Sequence, residues 1–297
     1  MIRPRRWATA GLVGAALLLA PAPTAAPVAV SLVRPDTSKA VDFEDGLVWV
    51  LALGSDAQGP DPLDGNADAI ELIALDLETG AGVALGIPRD TLVDVDGYQP
   101  AKINSALLVG SPGLMATEVE QLTGIAADYV LTTGVAGFEA LVDEIGGVTV
   151  RSDIAFEDPE SGLEVVVGRN PMDGAEAVSY ARFRVLEGDD FTRASNHQRL
   201  LEAILAELRR QEDDEGFMEG GALAAVQHLE TTLSPVELYR FAQAVTQIEP
   251  RQVGTCVLTG PTGVEEGVGS VVYLDATMAQ RVAADAADDA VLANGCP

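Results

Sequence analysis

The chain alternates apolar runs with amphipathic stretches, the pattern of an α/β protein. Four runs are apolar enough to predict buried strands, at 47–54, 69–77, 82–87 and 128–134. Helices are predicted where apolar residues recur at helical spacings, at 111–124, 135–147, 173–182 and 192–211. The alternation predicts a sheet covered by helices.

The last 85 or so residues continue this theme. The segment SPVE at 234–237 has the form of a capping box, two strand-like runs follow at 254–260 and 269–275, and an alanine-rich helix ends the chain. Nothing resembling a linker interrupts this part, so we predict one domain over 46–297. Residues 27–45 lack periodicity and are interpreted as a linker.

The N-terminal segment resembles a targeting sequence. MIRPRRW is basic, and 13 apolar residues follow before two prolines. This pattern predicts a secretory signal over 1–26, although an uncleaved membrane anchor is the alternative. Either interpretation places the protein outside the cytoplasm, secreted or held at the outer face of the cytoplasmic membrane.

Charge restricts the possible partners. The 297 residues are 47% hydrophobic and carry a formal net charge of -28, which suits a folded acidic protein and disfavours nucleic acid as a ligand. A phosphate ligand would therefore need a local basic pocket.

The two cysteines, Cys256 and Cys296, are predicted to form one disulfide in an oxidising compartment. Buried thiols or pairing with another chain are the alternatives.

Three arginines stand out in this acidic chain. Arg182 and Arg184 share a face only if the helix before them ends near Tyr180 and the chain then becomes extended. A second helix would place Arg193 and free backbone N–H groups near its start, where an anion is favoured. This spacing is compatible with a phosphate clamp. Alternatively, the arginines pair with the acidic residues beside them, Glu187, Asp189 and Asp190.

Other candidate residues follow predicted strands. Arg89 and Asp90 come directly after the third strand, where α/β sheets bind ligands, and Lys102 lies shortly beyond. Asp56 and Asp68 flank the first two strands and could converge as oxygen ligands for Mg²⁺. As alternatives, Arg89 and Asp90 form a structural pair, Lys102 is a solvated loop residue, and each lone aspartate is a cap or turn residue.

Taken together, these stretches resemble the LytR-CpsA-Psr family, enzymes that attach glycopolymers to the bacterial cell wall. The matching segments are LGSD (53–56), NADA (66–69), IPRDT (87–91), KIN (102–104), residues 122–148, and YARFR followed by GDDFTR. They cover about residues 47 to 205 in the family's order.

The resemblance implies a central mixed β-sheet flanked by helices and enclosing a hydrophobic tunnel for a polyprenyl chain. Apolar residues that could line the tunnel, or be ordinary core, are Ala106, Leu107, Leu114, Phe138 and Leu141. Mg²⁺ would be held by Asp56 and Asp68. The pyrophosphate would be bound by Arg89, Lys102, Arg182, Arg184 and Arg193, and Asp90 would orient Arg89 or accept a proton.

The implied reaction is attack by a peptidoglycan hydroxyl on the phosphorus that bears the glycan, with release of polyprenyl phosphate. This sequence departs from the family pattern at two places. Asn66 and Ala69 stand where an arginine and a threonine are usual, and Asn196 and His197 replace an Arg-Gln pair. We therefore also consider a lipid-binding protein without transferase activity, and an extracytoplasmic pyrophosphatase.

Overall fold

A computed structural model describes residues 46–95, 98–184, 190–212, 214 and 217–297. The leader or anchor at 1–26 and the linker at 27–45 lie outside the described residues, as do Glu187 and Asp189. The division of the chain into these parts stays a prediction. Among the described residues, no helix has the length and apolar character needed to cross a membrane.

The elements follow one another along the chain in a mixed order. The strands are β1 (Leu47–Ser55), β2 (Ala67–Asp76), β3 (Gly82–Gly86), β4 (Leu92–Val93), β5 (Ala101–Lys102), β6 (Tyr129–Thr133), β7 (Val148–Ser152), β8 (Phe156–Asp158), β9 (Leu163–Val165), β10 (Gly168–Met172), β11 (Glu230–Thr231), β12 (Val253–Val257), β13 (Thr262–Glu265) and β14 (Gly269–Val272). The α-helices are α1 (Ser105–Val109), α2 (Pro112–Thr123), α3 (Val135–Glu144), α4 (Gly174–Arg182), α5 (Asp190–Arg210), α6 (Phe217–His228), α7 (Pro235–Val245) and α8 (Ala276–Asp285). Short 3₁₀ turns lie at Pro62–Asp64 and Pro250–Gln252.

The central sheet has six strands in the order β11-β6-β1-β2-β3-β12. β1 pairs in parallel with β6, and β3 with β12, whereas the pairs β1–β2, β2–β3 and β6–β11 are antiparallel. The sheet is therefore mixed, as expected. The carboxyl ends of β1, β3, β6 and β12 meet the start of β2 at one edge of the sheet.

Helices cover both faces of the sheet. On one face, α1, α2 and α8 pack against residues such as Leu51, Leu72 and Leu85. On the other face, α5 and α7 cover Val50, Ile73 and their neighbours. A third cluster joins α3, α4 and α5 to β7, β9 and β10. This layered arrangement confirms the predicted α/β class.

Local sequence signals account for several boundaries. Ser111 caps α2 by accepting a hydrogen bond from Leu114 N, Pro112 occupies the first turn, and Gly124 ends the helix with a φ of 75°. Ser234 and Glu237 form the predicted capping box of α7. The predicted disulfide is confirmed, because Cys256 of β12 is bonded to Cys296 and ties the C-terminal segment to the edge of the sheet.

Candidate phosphate-binding site

A tight loop fixes Asp56 at the end of β1. The backbone N–H of Asp56 donates to the carbonyl of Asn66 at 3.0 Å, and Asn66 N–H donates to Asp56 Oδ1 at 2.8 Å. Gly65 makes this closure possible, because a Cβ there would lie 2.4 Å from Ala57 N and 2.7 Å from Asp56 Oδ1. The carboxylate is held where β1 and β2 meet.

A bulge in β2 directs Asp68. Ser55 pairs with Ala67 and Gly54 pairs with Ala69, so Asp68 is the extra residue between them. Ala67 and Ile70 both lie in the cluster on the α2 side of the sheet, whereas Asp68 reaches the cations Arg89 and Arg193. The strand period alone would have placed Asp68 on the same face as Ile70.

Backbone hydrogen bonds join the IPRDT and KIN segments. Arg89 O accepts from Asn104 N at 3.2 Å, Thr91 O accepts from Ile103 N at 2.8 Å, and Asn104 O accepts from Ala67 N at 3.0 Å. The buried Thr91 hydroxyl donates to Pro88 O at 2.7 Å, which holds the turn. Three segments separated in sequence are thereby fixed next to Asp68.

The side chains of these segments form a connected set of charges. Arg89 Nη1 contacts Asp68 Oδ1, and Arg89 Nε lies 3.8 Å from Asp90 Oδ1. Lys102 Nζ is 3.1 Å from the same oxygen of Asp90. Asp90 therefore contacts both cations, an arrangement suited to orienting Arg89. The carboxylates offset the mutual repulsion of the cations when no anionic ligand is bound.

Arg193 completes this cluster from the first turns of α5. It is only 3% exposed, and its Nη1 lies 3.8 Å from Asp68 Oδ2. Asp68 thus bridges cations from two elements. We call Asp68, Arg89, Asp90, Lys102 and Arg193 the inner cluster.

Arg182 and Arg184 lie at the end of α4. The helix ends at Arg182, close to the predicted break, and Phe183 is extended with φ -64° and ψ 141°. The chain therefore leaves the helix in an extended conformation directly after Arg182, as the clamp hypothesis requires. Arg182 is exposed and Arg184 is half-buried. We call the residues Arg182, Phe183 and Arg184 the arginine arm.

The carboxylates of Asp56 and Asp68 at this edge are the candidate ligands for a magnesium ion. Within the described residues, Asp56 uses only Oδ1 in hydrogen bonding, and Asp68 is 22% exposed. Among those residues, no group of three or more His, Cys, Asp or Glu is arranged to hold a metal. Mg²⁺ commonly binds to one or two carboxylates, with waters and substrate phosphates as its other ligands. Asp56 and Asp68 could supply such a pair.

The five candidate tunnel residues fall on different faces of the sheet. Ala106 and Leu107 are buried in the core beside α2, and Leu114 packs against the same core. Phe138 and Leu141 of α3 are only half-buried. Other half-buried apolar side chains occur on the elements around α3, namely Ala52, Leu131, Leu201, Ile204 and Leu208. Partly accessible apolar side chains therefore occur on the side of the sheet covered by α5, as they also do around α2 on the other side.

Asn196 and His197, the two residues of α5 that depart from the family pattern, contact backbone carbonyls at the end of α4. Asn196 Nδ2 donates to Tyr180 O at 3.1 Å and to Phe183 O at 3.4 Å. His197 Nε2 lies 3.0 Å from Ala181 O. Both side chains hold the last turn of α4. Sequence reasoning missed this role, although the spacing of Arg193, Asn196 and His197 already puts all three on one helix face.

A second acidic side chain of β2 faces α5. Glu71 is 5% exposed, and Gln198 Nε2 lies 3.4 Å from its Oε2. Gly86 leaves room for this pair, because a Cβ there would lie 2.9 Å from Gln198 Nε2. Burial raises the pKa of Glu71 to about 8, although the hydrogen bond from Gln198 opposes this rise. Glu71 is therefore mostly protonated at neutral pH.

The family relationship agrees with this geometry. The LytR-CpsA-Psr family model matches residues 21–287, and the chain belongs to this family. LcpB of Corynebacterium glutamicum, a probable cell wall biosynthesis protein, is 32% identical over 59% of this chain and 40% of its own length. TagU of Bacillus cereus, a polyisoprenyl-teichoic acid–peptidoglycan teichoic acid transferase, is 27% identical over 65% of this chain and 62% of its own length.

The fold is shared with a solved structure. The crystal structure of TagV from Bacillus subtilis matches with a TM-score of 0.72 at 23% identity, covering 83% of this chain and 99% of that one. The likeness confirms the predicted LytR-CpsA-Psr fold. The chain spans only 40 to 62% of the lengths of the two relatives above.

Proposed function

We propose that this protein is a Mg²⁺-dependent phosphotransferase that moves a polyprenyl-pyrophosphate-linked glycopolymer onto peptidoglycan at the outer face of the cytoplasmic membrane. The observation that carries the proposal is the inner cluster, in which Asp68 joins Arg89 and Arg193 at the edge of the sheet. Clustered cations of this kind suit a pyrophosphate, even in a chain of charge -28. The name of TagU, the teichoic acid transferase, supports the same reaction class.

The polyprenyl chain would lie against the partly accessible apolar side chains between the sheet, α3 and α5. Phe138, Leu141 and Leu201 belong to this surface. Apolar side chains with access to solvent favour a hydrocarbon ligand, since its binding removes their surface from water. The headgroup would then meet the cations at the sheet edge.

The protein's tasks in this transfer are binding, alignment and charge stabilisation. Arg89, Lys102 and Arg193 would bind the pyrophosphate oxygens from the inner cluster, and Arg182 and Arg184 from the arm. Asp56 and Asp68 would hold Mg²⁺, which would neutralise the pyrophosphate.

In the reaction itself, a peptidoglycan hydroxyl oxygen would bond to the phosphorus bearing the glycan, and the bond from that phosphorus to the bridging oxygen would break. The polyprenyl phosphate leaves with that oxygen. Asp90 either orients Arg89 or receives the hydroxyl proton, and its contact with both Arg89 and Lys102 favours the orienting role. In that role, the hydroxyl proton would pass to the departing polyprenyl phosphate.

The test combines binding with turnover. Binding of geranylgeranyl pyrophosphate to native protein and to Asp68→Ala would be titrated with and without Mg²⁺. Glycan transfer to peptidoglycan would be measured with a polyprenyl-pyrophosphate-linked glycan as donor, and phosphate release with geranylgeranyl pyrophosphate. We expect Mg²⁺-dependent binding and transfer by the native protein only. Binding without turnover would identify a lipid-binding protein, and phosphate release without an acceptor would identify a pyrophosphatase. Neither binding nor turnover would overturn the proposal.

A further inference from the structure

The end of α4 is held by one turn of α5. Tyr180 O and Phe183 O accept from the amide of Asn196, and Ala181 O lies 3.0 Å from His197 Nε2. The last carbonyls of a helix lack partners within the helix, so side-chain donors at this point determine how the chain leaves it. Asn196 is 2% exposed, and its amide is thus committed to these carbonyls.

The residue that follows α4 is also held by an aromatic stack. The rings of Phe183 and Phe156 are 3.8 Å apart between centroids and almost parallel, with an interplanar angle of 6°. Phe156 belongs to β8, on a separate hairpin with β9. Phe183 is therefore held on both its backbone and its ring, and the two arginines beside it leave from a fixed position.

The same turn of α5 carries Arg193. Arg193, Asn196 and His197 are spaced i, i+3 and i+4, so they share one face of the helix. Arg193 reaches Asp68, while the other two side chains reach α4. One helix turn therefore fixes the inner cluster and the arginine arm relative to each other.

His197 performs this task without adding charge. Burial, together with the positive charge of Arg193, lowers the pKa of His197 to about 4. A neutral imidazole that donates from Nε2 to the Ala181 carbonyl is compatible with the cation beside it. A protonated side chain at this position would repel Arg193.

We propose that Asn196 and His197 are positioning residues, which orient the arginine arm toward the pyrophosphate through their hydrogen bonds to the end of α4. This inference rests on the proposed function and deepens it. The two positions that appear as losses against the family pattern would then be the supports of the clamp in this protein.

The first test compares two replacements of His197. His197→Leu removes the donor, whereas His197→Gln keeps an N–H group that can reach Ala181 O. Inorganic pyrophosphate with Mg²⁺, titrated by calorimetry, is the probe. We expect about a tenfold weaker affinity for His197→Leu and an affinity near native for His197→Gln. Asn196→Ala should weaken binding similarly and provides a second route if His197→Leu does not fold.

The second test is a double-mutant cycle. In a protein already carrying Arg182→Ala and Arg184→Ala, His197→Leu and Asn196→Ala should cause no further loss of affinity, because the arm they orient has no cations. Full additivity would overturn the proposal, as would native affinity in both single variants. Native protein that does not bind pyrophosphate would overturn the proposed function, and this proposal with it. Binding by native protein with indifferent variants would overturn the positioning role alone.

Discussion

Asp68 and Glu71 lie three residues apart on β2, and both face α5, yet their surroundings differ. Asp68 is at the edge of the sheet, 22% exposed, with Arg89 and Arg193 as partners. Glu71 lies in the middle of β2 and is only 5% exposed, with the neutral amide of Gln198 nearby. Between β2 and α5, Asp68 and Arg193 thus form a pair of opposite charges, whereas Glu71 and Gln198 form a neutral pair.

The difference in surroundings explains why the pKa of Glu71 is raised. Desolvation disfavours the charged form, and only cations or solvent offset it. Glu71 has neither beside it, and its Oε1 has no hydrogen-bond partner within the described residues. The site chemistry is therefore confined to the sheet edge, and the interior pair contributes to packing.

The largest expected effect is the loss of stability when the disulfide is reduced. The disulfide lies next to the neutral pair of Glu71 and Gln198. Cys256 O of β12 accepts from Gln198 Nε2 at 3.1 Å, so the disulfide anchors a strand that holds Gln198, the partner of Glu71. The two cysteines are separated by 40 positions of sequence, and reduction frees the unfolded chain from the loop that the disulfide closes. We therefore expect the free energy of unfolding to fall by about 4 kcal/mol. Urea unfolding with and without reductant measures this loss.

Pyrophosphate affinity of the folded protein should stay within about twofold after reduction, because the disulfide does not contact the inner cluster. A parallel collapse of affinity would show that the disulfide also supports the inner cluster.

The next effect distinguishes the inner cluster from the arginine arm. Arg193→Ala leaves Asp68 with one cation fewer in a buried setting, and should cost about 3 kcal/mol of folding free energy. Arg182→Ala makes the same chemical change at an exposed position and should cost less than about 0.5 kcal/mol. Both variants should bind pyrophosphate more weakly. Equal stability losses in denaturant unfolding would refute the distinction.

Much of the framework could be predicted from local sequence. Local signals predicted the strands β1 and β3, the caps of α2 and the end of α4. Hydrophobic periodicity, capping side chains and helix-ending glycines each act within a few residues of sequence. The segments LGSD, NADA and IPRDT lie at the ends of predicted strands. In an α/β sheet such ends meet at one edge, so the fold class predicted that these segments converge.

Other features depend on contacts between distant residues. The bulge that redirects Asp68 is defined by pairing with β1, and Gln198 meets Glu71 across 127 positions of sequence. Asn196 and His197 appeared only as departures from a pattern, since the carbonyls they bind belong to another helix. The short strands β8 and β9, whose hairpin supplies Phe156, carried no clear periodic signal.

A smaller effect depends on pH and tests the neutral pair. The pKa of Glu71 is raised from 4.5 to about 8 in the folded protein, so the folded state binds more protons than the unfolded state between these values. The contribution of Glu71 to stability is therefore fully present below pH 4.5 and is lost as the pH rises to about 8.

Glu71→Gln cannot ionise and should lack this fall. It should gain on the order of 2 kcal/mol over native protein at pH 8 and little at pH 5, as measured by urea unfolding. Glu164→Gln, at an exposed position of β9, is the matched control and should leave the pH profile unchanged. A pH-independent difference between Glu71→Gln and native protein would contradict the assignment of a protonated Glu71.

The smallest effect adds a cation at the charged end of β2. The backbone N–H of Asn66 donates to Asp56 Oδ1, and the residue precedes Asp68 by two positions, so its side chain starts beside both proposed metal ligands. Asn66→Arg should raise Mg²⁺-dependent transfer roughly tenfold if the new contact forms in the transition state, which corresponds to about 1.4 kcal/mol.

Asn66→Gln is the control for side-chain length without charge and should leave the transfer rate near native. If Asn66→Arg tightens binding of geranylgeranyl pyrophosphate without increasing transfer, the added charge stabilises ground and transition states alike, as expected for a lipid-binding protein. If native protein already transfers glycan at the rate of the Asn66→Arg variant, Asn66 does not weaken the site. In that case the cations of the inner cluster and the arginine arm suffice, and the charged end of β2 needs no further partner.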